Sequence, residues 1–162
     1  LTAVLGKKKI MKSALSTFIS STFWTDRIGF VAALETLKYI KENKTYNIIK
    51  ENGRYIKEKW SNLAKKNNLD ILIEGTDAIP NFSFPKDIKG IYKCLIASEM
   101  LKDKILASNI IFVSIHHNKK NLKKYFYKLD KIFNTINLIE NKKIKINLNS
   151  FKLKRSFFKR LN

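Results

Sequence analysis

The stretch SSTFWTDRIGFVAALETL, residues 20–37, joins a hydroxyl-rich segment to a run of apolar residues at helical spacing. Thr25 or Asp26 can cap the first turn, and the polar pair Glu42-Asn43 can end the last one, so the pattern predicts a helix over about 26–43. We expect its apolar positions to face a core. They are Ile28, Val31, Ala32, Leu34, Tyr39 and Ile40.

Three hydroxyl side chains, those of Ser20, Ser21 and Thr22, come shortly before this helix. Hydroxyls and backbone amides ahead of a helix N-terminus can hold a phosphate or another anion, because the free N–H groups and the helix dipole both favour negative charge. Serine and threonine are also ordinary capping residues. The pattern by itself therefore leaves a phosphate site and a simple cap as open alternatives.

Outward from this stretch, the hydrophobic pattern alternates between strand and helix spacing. Towards the N-terminus it predicts a short strand at 2–5 and a short helix in KKKIMKSAL, residues 7–15. Towards the C-terminus it predicts helices at 45–66, 88–102 and 122–136 and strands at 69–75, 81–85 and 110–115.

Two of these helices carry apolar stripes that we expect to form the core. The helix at 45–66 presents Tyr46, Ile49, Tyr55, Ile56, Trp60 and Leu63, interrupted by Gly53 at a modest cost. The helix at 122–136 presents Leu122, Tyr125, Phe126, Leu129, Ile132, Phe133 and Ile136.

The order of elements indicates an α/β chain that contains an α+β small domain. Residues 1–44 would hold the end of one α/β layer and a connecting helix, residues 45–138 the small domain, and residues 139–162 a basic C-terminal extension. Because the chain opens at Leu1 inside an apolar run, we expect it to be the rear portion of a longer protein.

The chain of 162 residues has 33 Lys+Arg against 13 Asp+Glu, a formal charge of +20. Such a charge would ordinarily favour nucleic acid as a partner. Arginine, which reads guanine and phosphate in bidentate fashion, occurs only at Arg27, Arg54, Arg155 and Arg160. We therefore expect a solvated lysine surface and no specific nucleic-acid partner. A non-catalytic basic module that engages an anionic polymer or surface through residues 142–160 is the alternative.

Other candidate residues have structural interpretations. Cys94 lies within a predicted helix and has no cysteine partner, so we expect a buried packing thiol in a reducing, cytoplasmic compartment. His116 and His117 have no neighbouring carboxylate or thiol in the sequence, which favours a structural or surface pair over a metal site. No apolar run reaches the roughly 18 residues of a membrane-spanning helix.

Three blocks of the sequence resemble the C-terminal half of class III aminotransferases, in particular the glutamate-1-semialdehyde aminomutase-like branch. They are LTAVLGKKKIM (1–11), TFISSTFWTDRIGFVAALETLKYI (17–40) and EMLKDKILASNIIFVSIHHNKKNLKKYFYKLDKIF (99–133). The resemblance covers most of residues 1–138 in order, and its specific part is SSTFWTDRIGFVAALETL.

The resemblance implies a fold-type-I enzyme that uses pyridoxal 5'-phosphate (PLP) and works as a homodimer. Residues 1–44 would then be the end of the large cofactor-binding domain and the connecting helix. The chemistry implied is transfer or 1,2-migration of an amino group between small amine and carbonyl substrates, through an aldimine with the cofactor.

The site residues follow from the same resemblance. The cofactor-phosphate threonine, contributed across the dimer interface, matches Thr22, and Ser21 stands where many members have glycine. The Schiff-base lysine would lie before Leu1, so residues 1–162 are expected to be inactive alone. Lys7, Lys8 and Lys9 come after that position and are not candidates for the role.

Overall fold

The computed structural model describes residues 4–18, 22–23, 26–87 and 90–144. The chain divides into two compact units, Leu1–Tyr46 and Asn47–Asn162. The helices are α1 (Lys8–Met11), α2 (Arg27–Asn43), α3 (Thr45–Lys66), α4 (Ile91–Lys102) and α5 (Lys119–Glu140), with a 3₁₀ turn at Lys12–Ser16 and strands β1 (Leu72–Glu74) and β2 (Asn81–Ser83).

The first unit holds the predicted short helix and the predicted helix that follows the hydroxyl-rich segment. Asp26 caps α2, because its carboxylate accepts a hydrogen bond from the Ile28 backbone N–H at 2.9 Å. The helix ends at Lys44, which adopts a left-handed conformation with φ of 46°. The predicted strand at 2–5 is not formed at Val4 and Leu5, which are exposed and without regular structure, and its first two residues lie outside the described range.

The apolar stripe of α2 does not form a core, and that expectation was wrong. Ile28 is 76% exposed and Leu34 is 67% exposed, and α2 has no buried residue. The buried apolar residues of the described chain instead lie in the second unit, from Ile56 to Ile136.

The second unit is built around α3 and α5. The seven positions expected to face inward on α5 are all buried. On α3, Ile56 and Trp60 are buried as predicted, but Tyr46 is 57% exposed, so the expectation was wrong for Tyr46. Trp60 on α3 is fully buried and donates a hydrogen bond from Nε1 to the hydroxyl of Tyr125 on α5 at 2.9 Å. This bond satisfies the indole N–H inside the core.

The two strands pair antiparallel, with Ile73 opposite Phe82, as a small two-stranded sheet. Phe82 is fully buried and packs edge-to-face on Trp60 and on Phe133, with ring centroids 4.7 Å and 5.7 Å apart. The sheet therefore contributes its inward side chain to the same aromatic cluster as α3 and α5.

The predicted strand at 110–115 is present only as an extended segment with one bridge, between Ile110 and Asn81. The Ile111 N–H donates to the Pro80 carbonyl at 3.1 Å, and the Val113 N–H donates to the Ala78 carbonyl at 2.9 Å. Continuing the ladder would require an N–H on residue 80, which proline lacks. Pro80 thus explains why the segment lies along the sheet without becoming a regular third strand.

The helix predicted to begin at 88 begins at Ile91. Asp87 supplies the cap, because its carboxylate accepts hydrogen bonds from the N–H groups of Ile91 and Tyr92 at 2.8 Å and 2.7 Å. Gly90 precedes α4 with φ of 67°, a conformation that glycine adopts without steric cost. Among the helices described, none is long and apolar enough to cross a bilayer.

Candidate functional site

Thr22, the predicted phosphate ligand, lies in an exposed turn that precedes α2. The turn continues through Phe23, whose carbonyl accepts a hydrogen bond from the Asp26 N–H at 3.2 Å. The side chain of Thr22 is open to solvent, so its hydroxyl can reach a ligand. Ser20 and Ser21 lie outside the described residues.

One N–H of the first turn of α2 already has a carboxylate partner. The Asp26 carboxylate accepts from the Ile28 N–H, and its negative charge repels a second anion at the same helix end. A phosphate near this turn would therefore be held by groups ahead of the helix, such as the Thr22 hydroxyl, and not by the N–H groups of the helix itself.

Lys7, Lys8 and Lys9 are exposed at the start of α1. The Lys7 carbonyl accepts hydrogen bonds from the N–H groups of Ile10 and Met11 at 2.9 Å and 3.0 Å, which places Lys7 at the helix N-cap position. These lysines form an ordinary solvated helix surface.

His116 and His117 belong to a tight turn between the extended segment and α5. Nδ1 of His117 accepts a hydrogen bond from the Ser114 backbone N–H at 2.9 Å, and the Ser114 Oγ lies 3.1 Å from the same nitrogen. Burial, together with the neighbouring His116, lowers the pKa of His117 below its usual range. This hydrogen bond requires an unprotonated Nδ1, so the neutral ring is the form that stabilises the turn. In the described structure His117 therefore has a structural role.

Cys94 on α4 is half-buried, so the expectation of a buried packing thiol is met only in part. In the ranges described, no group of three histidine, cysteine, aspartate or glutamate side chains is arranged to hold a metal ion.

An ion cluster that sequence reasoning missed ties the loop after β1 to α3. Asp77 accepts hydrogen bonds from Lys57 at 3.0 Å and from Arg54 at 3.3 Å, and Lys57 also donates to the Gly75 carbonyl at 2.8 Å. The bond from Lys57 lowers the pKa of Asp77 against the opposing effect of burial. These bonds attach the loop after β1 to α3, so the cluster has a structural role.

Two grooves also escaped the sequence analysis. One, of about 450 Å³, is lined mainly by apolar residues of the extended segment and by His117 and Tyr125. The other, of about 420 Å³, lies between α3 and α5 and is lined by lysines and aromatic rings. The first groove is lined by residues from Ile105 to Tyr125, which are close in sequence, whereas the second joins residues of α3 and α5 that are distant in sequence, so no local motif marks the second groove.

No known protein-family profile matches the chain. Two aminotransferases are similar to it in sequence. The 3-aminobutyryl-CoA aminotransferase of Cloacimonas acidaminovorans is 25% identical over 116 residues, which is 71% of this chain and 28% of that protein. The aminopentol aminotransferase of Sphingopyxis macrogoltabida is 24% identical over 87 residues, which is 54% of this chain and 21% of that protein. The chain thus spans about a quarter of the length of these relatives.

A solved structure has the same fold over most of the chain. It is the PLP internal aldimine form of the FumI protein of Sphingopyxis sp. MTA144, with a TM-score of 0.71 and 20% sequence identity. The likeness covers 87% of this chain and 34% of that structure.

The chain therefore has the fold of part of this PLP-bound structure, which confirms the predicted fold class. In sequence the chain is similar to aminotransferases, and the comparisons do not distinguish the aminomutase-like branch.

Proposed function

We propose that this chain is part of a PLP-dependent aminotransferase. The observation that carries the proposal is the agreement of a likeness in sequence with a likeness in fold. Two aminotransferases match the sequence, one of them over 71% of the chain, and a PLP-bound enzyme matches the fold over 87% of it. Since both similar sequences are aminotransferases, amino-group transfer between an amine and a carbonyl compound is better supported than a 1,2-migration within one substrate.

In this proposal Thr22 binds the cofactor phosphate of the neighbouring subunit in a homodimer. The support is its exposed hydroxyl in the turn before α2, together with the resemblance of SSTFWTDRIGFVAALETL to the family. The hydroxyl donates a hydrogen bond to a phosphate oxygen, while the Asp26 carboxylate keeps the anion away from the end of α2. Ser21 is the second proposed contact, through its hydroxyl or its backbone N–H.

When bound, PLP supplies the electron sink on which the amino group is exchanged. As the resemblance implies, the lysine that anchors PLP would lie before Leu1. Residues 1–162 would then take part in binding and positioning the cofactor, and proton transfer would be carried out by other residues. The single cysteine fits a reducing cytoplasmic compartment.

The test compares PLP affinity in variants of the longer enzyme, in which this segment follows the Schiff-base lysine. Loss of one hydrogen bond to a charged group typically costs about 1.5–3 kcal/mol, so Thr22→Ala should weaken PLP binding roughly ten- to hundredfold. Thr22→Ser keeps the hydroxyl and should change the affinity much less. Titration of PLP into the three apoenzymes measures the dissociation constants.

Thr36→Ala is the matched control. Thr36 is another exposed threonine, but its hydroxyl bonds to the Ala32 carbonyl within α2 at 2.7 Å. Its removal should leave PLP affinity unchanged. Equal dissociation constants for threonine, serine and alanine at position 22, with a lower melting temperature for Thr22→Ala, would assign Thr22 to the stability of the turn and reject the phosphate contact.

A further inference from the structure

The groove between α3 and α5, here called the lysine–tyrosine groove, collects positive charge around aromatic rings. The side chains that matter are those of Tyr55, Lys59, Lys119, Lys123, Tyr127 and Asp130. Nζ of Lys59 lies 5.6 Å from the centre of the Tyr55 ring, and Nζ of Lys119 lies 5.5 Å from the same centre. Two ammonium groups thus converge on one ring.

The charge of these lysines is not neutralised within the described part of the chain. There, no carboxylate oxygen lies within 4.0 Å of the Nζ atoms of Lys59, Lys119 or Lys123. A cation–π contact leaves the ammonium charge in place. The groove therefore holds three positive charges without anionic partners.

The one carboxylate in the groove does not offset them. Asp130 accepts a hydrogen bond from the Lys66 ammonium and another from Asn67 Nδ2 at 2.8 Å. Burial opposes its ionisation, but these two hydrogen bonds lower its pKa overall. Asp130 is thus ionised and paired with Lys66, which does not line the groove. Among the described residues, the charges of Lys59, Lys119 and Lys123 therefore stay unpaired.

The chemistry of the lining favours one kind of anion. The groove, of about 420 Å³, is shallow and open to solvent, so an extended strand can lie in it. Lysine ammonium groups are point charges that neutralise phosphates without reading bases. Beside them, Tyr127 is 64% exposed, and Lys131 Nζ lies over its ring, 4.3 Å from the centre, so a base can stack only on the exposed part of the ring that Lys131 does not cover.

We propose that the lysine–tyrosine groove binds single-stranded nucleic acid without sequence preference. Lys59, Lys119 and Lys123 contact successive phosphates, and Tyr127 offers a ring on which a base stacks. The proposal is separate from the aminotransferase proposal, because it needs neither PLP nor a second subunit.

The experiment measures fluorescence anisotropy of a labelled twelve-residue oligouridylate with the chain of residues 1–162. Each phosphate contact to a single strand contributes about −0.7 to the slope of log K against log salt. The triple variant Lys59→Gln/Lys119→Gln/Lys123→Gln should therefore bind at least about tenfold more weakly in 50 mM KCl and show a slope shallower by about 2.

A second triple variant carries the same charge change at other exposed lysines. In Lys41→Gln/Lys93→Gln/Lys104→Gln none of the changed residues lines the groove, and binding should weaken by less than about threefold. Tyr127→Leu keeps apolar bulk but removes the stacking surface, and should weaken binding by about fivefold or more. Circular dichroism melting checks that all variants fold.

Three results would overturn the proposal. The first is absence of binding by the unmodified chain at 50 mM KCl. The second is an equal loss in both triple variants, which would assign binding to the overall charge of +20. The third is binding to phosphatidylserine vesicles without binding to oligouridylate. If the groove-lysine variant also weakened the vesicle binding, the groove would be assigned to a membrane surface.

Discussion

At the scale of single residues, His117 couples the turn before α5 to pH. Its Nδ1 accepts from the Ser114 N–H only when that nitrogen is unprotonated, and burial lowers the pKa of the ring in the folded chain. In the unfolded chain the imidazole has its ordinary pKa of about 6.5, so the unfolded chain binds a proton more readily than the folded chain. Stability from this group is complete above that pH and falls as the pH drops below it.

We predict that His117→Asn makes the free energy of unfolding less sensitive to pH. The Asn Oδ1 can take the place of Nδ1 as acceptor but does not titrate. The loss on going from pH 7.5 to pH 5 should shrink by about 0.5–1.5 kcal/mol, the usual worth of one hydrogen bond. Urea denaturation at both pH values measures the difference.

His116→Asn is the matched control, because His116 is exposed. Its substitution should leave most of the pH dependence in place. An unchanged pH dependence in His117→Asn would mean that the turn does not depend on the neutral ring.

At the scale of elements, Gly53 shows what periodicity leaves out. The sequence predicts α3 with its correct bounds and treats this glycine as a mild interruption, but in the structure the helix passes close to the loop after β1. A Cβ placed on Gly53 would lie 1.8 Å from the Asp77 carbonyl oxygen. The glycine permits this approach, and the Asp77 ion pairs with Lys57 and Arg54 hold the loop there.

We predict that Gly53→Ala destabilises the chain by about 2–3 kcal/mol or more. Alanine would gain up to about 1 kcal/mol of helix propensity, but backbone must move to remove the clash. Gly90→Ala is the comparison, since nothing lies within 4 Å of the added Cβ and only the positive φ of 67° opposes it. It should cost about 1–2 kcal/mol. Thermal and urea melts of both variants measure these costs, and a stabilised Gly53→Ala would contradict the close approach.

Elements whose pattern is local are predicted from the sequence, whereas elements that depend on a residue elsewhere in the chain are not. The inward face of α5 follows from spacing alone, because one long helix carries the whole pattern. The segment at 110–115 is apolar enough for a strand, but its pairing depends on Pro80, thirty residues away in the chain. The start of α4 likewise depends on a side chain before the helix, the cap from Asp87.

At the scale of the whole molecule, one candidate site could be predicted from the sequence and the other could not. Thr22 was found through the resemblance of its surrounding block, and the structure adds its exposure and the occupied end of α2. The lysine–tyrosine groove could not be found, because Tyr55 and Lys119 meet only when α3 packs on α5. The expected core face of α2 was wrong because an apolar stripe shows a surface suited to burial, but not what covers it.

The uneven distribution of core residues leads to a prediction about local stability. All the buried apolar residues described lie between Ile56 and Ile136, whereas α2 has none. A helix of 17 residues without buried contacts is marginal in water, so its hydrogen bonds should open without global unfolding. In the chain of residues 1–162, amides of α2 should exchange within minutes, while those near Trp60 and Leu129 should exchange only through global unfolding. Hydrogen exchange followed by mass spectrometry, repeated over a range of protein concentrations to detect self-association, measures both classes. If α2 exchanged as slowly as α5 in a monomeric sample, its apolar stripe would have to be covered within the monomer, and the assignment of all stabilising burial to the second unit would be wrong.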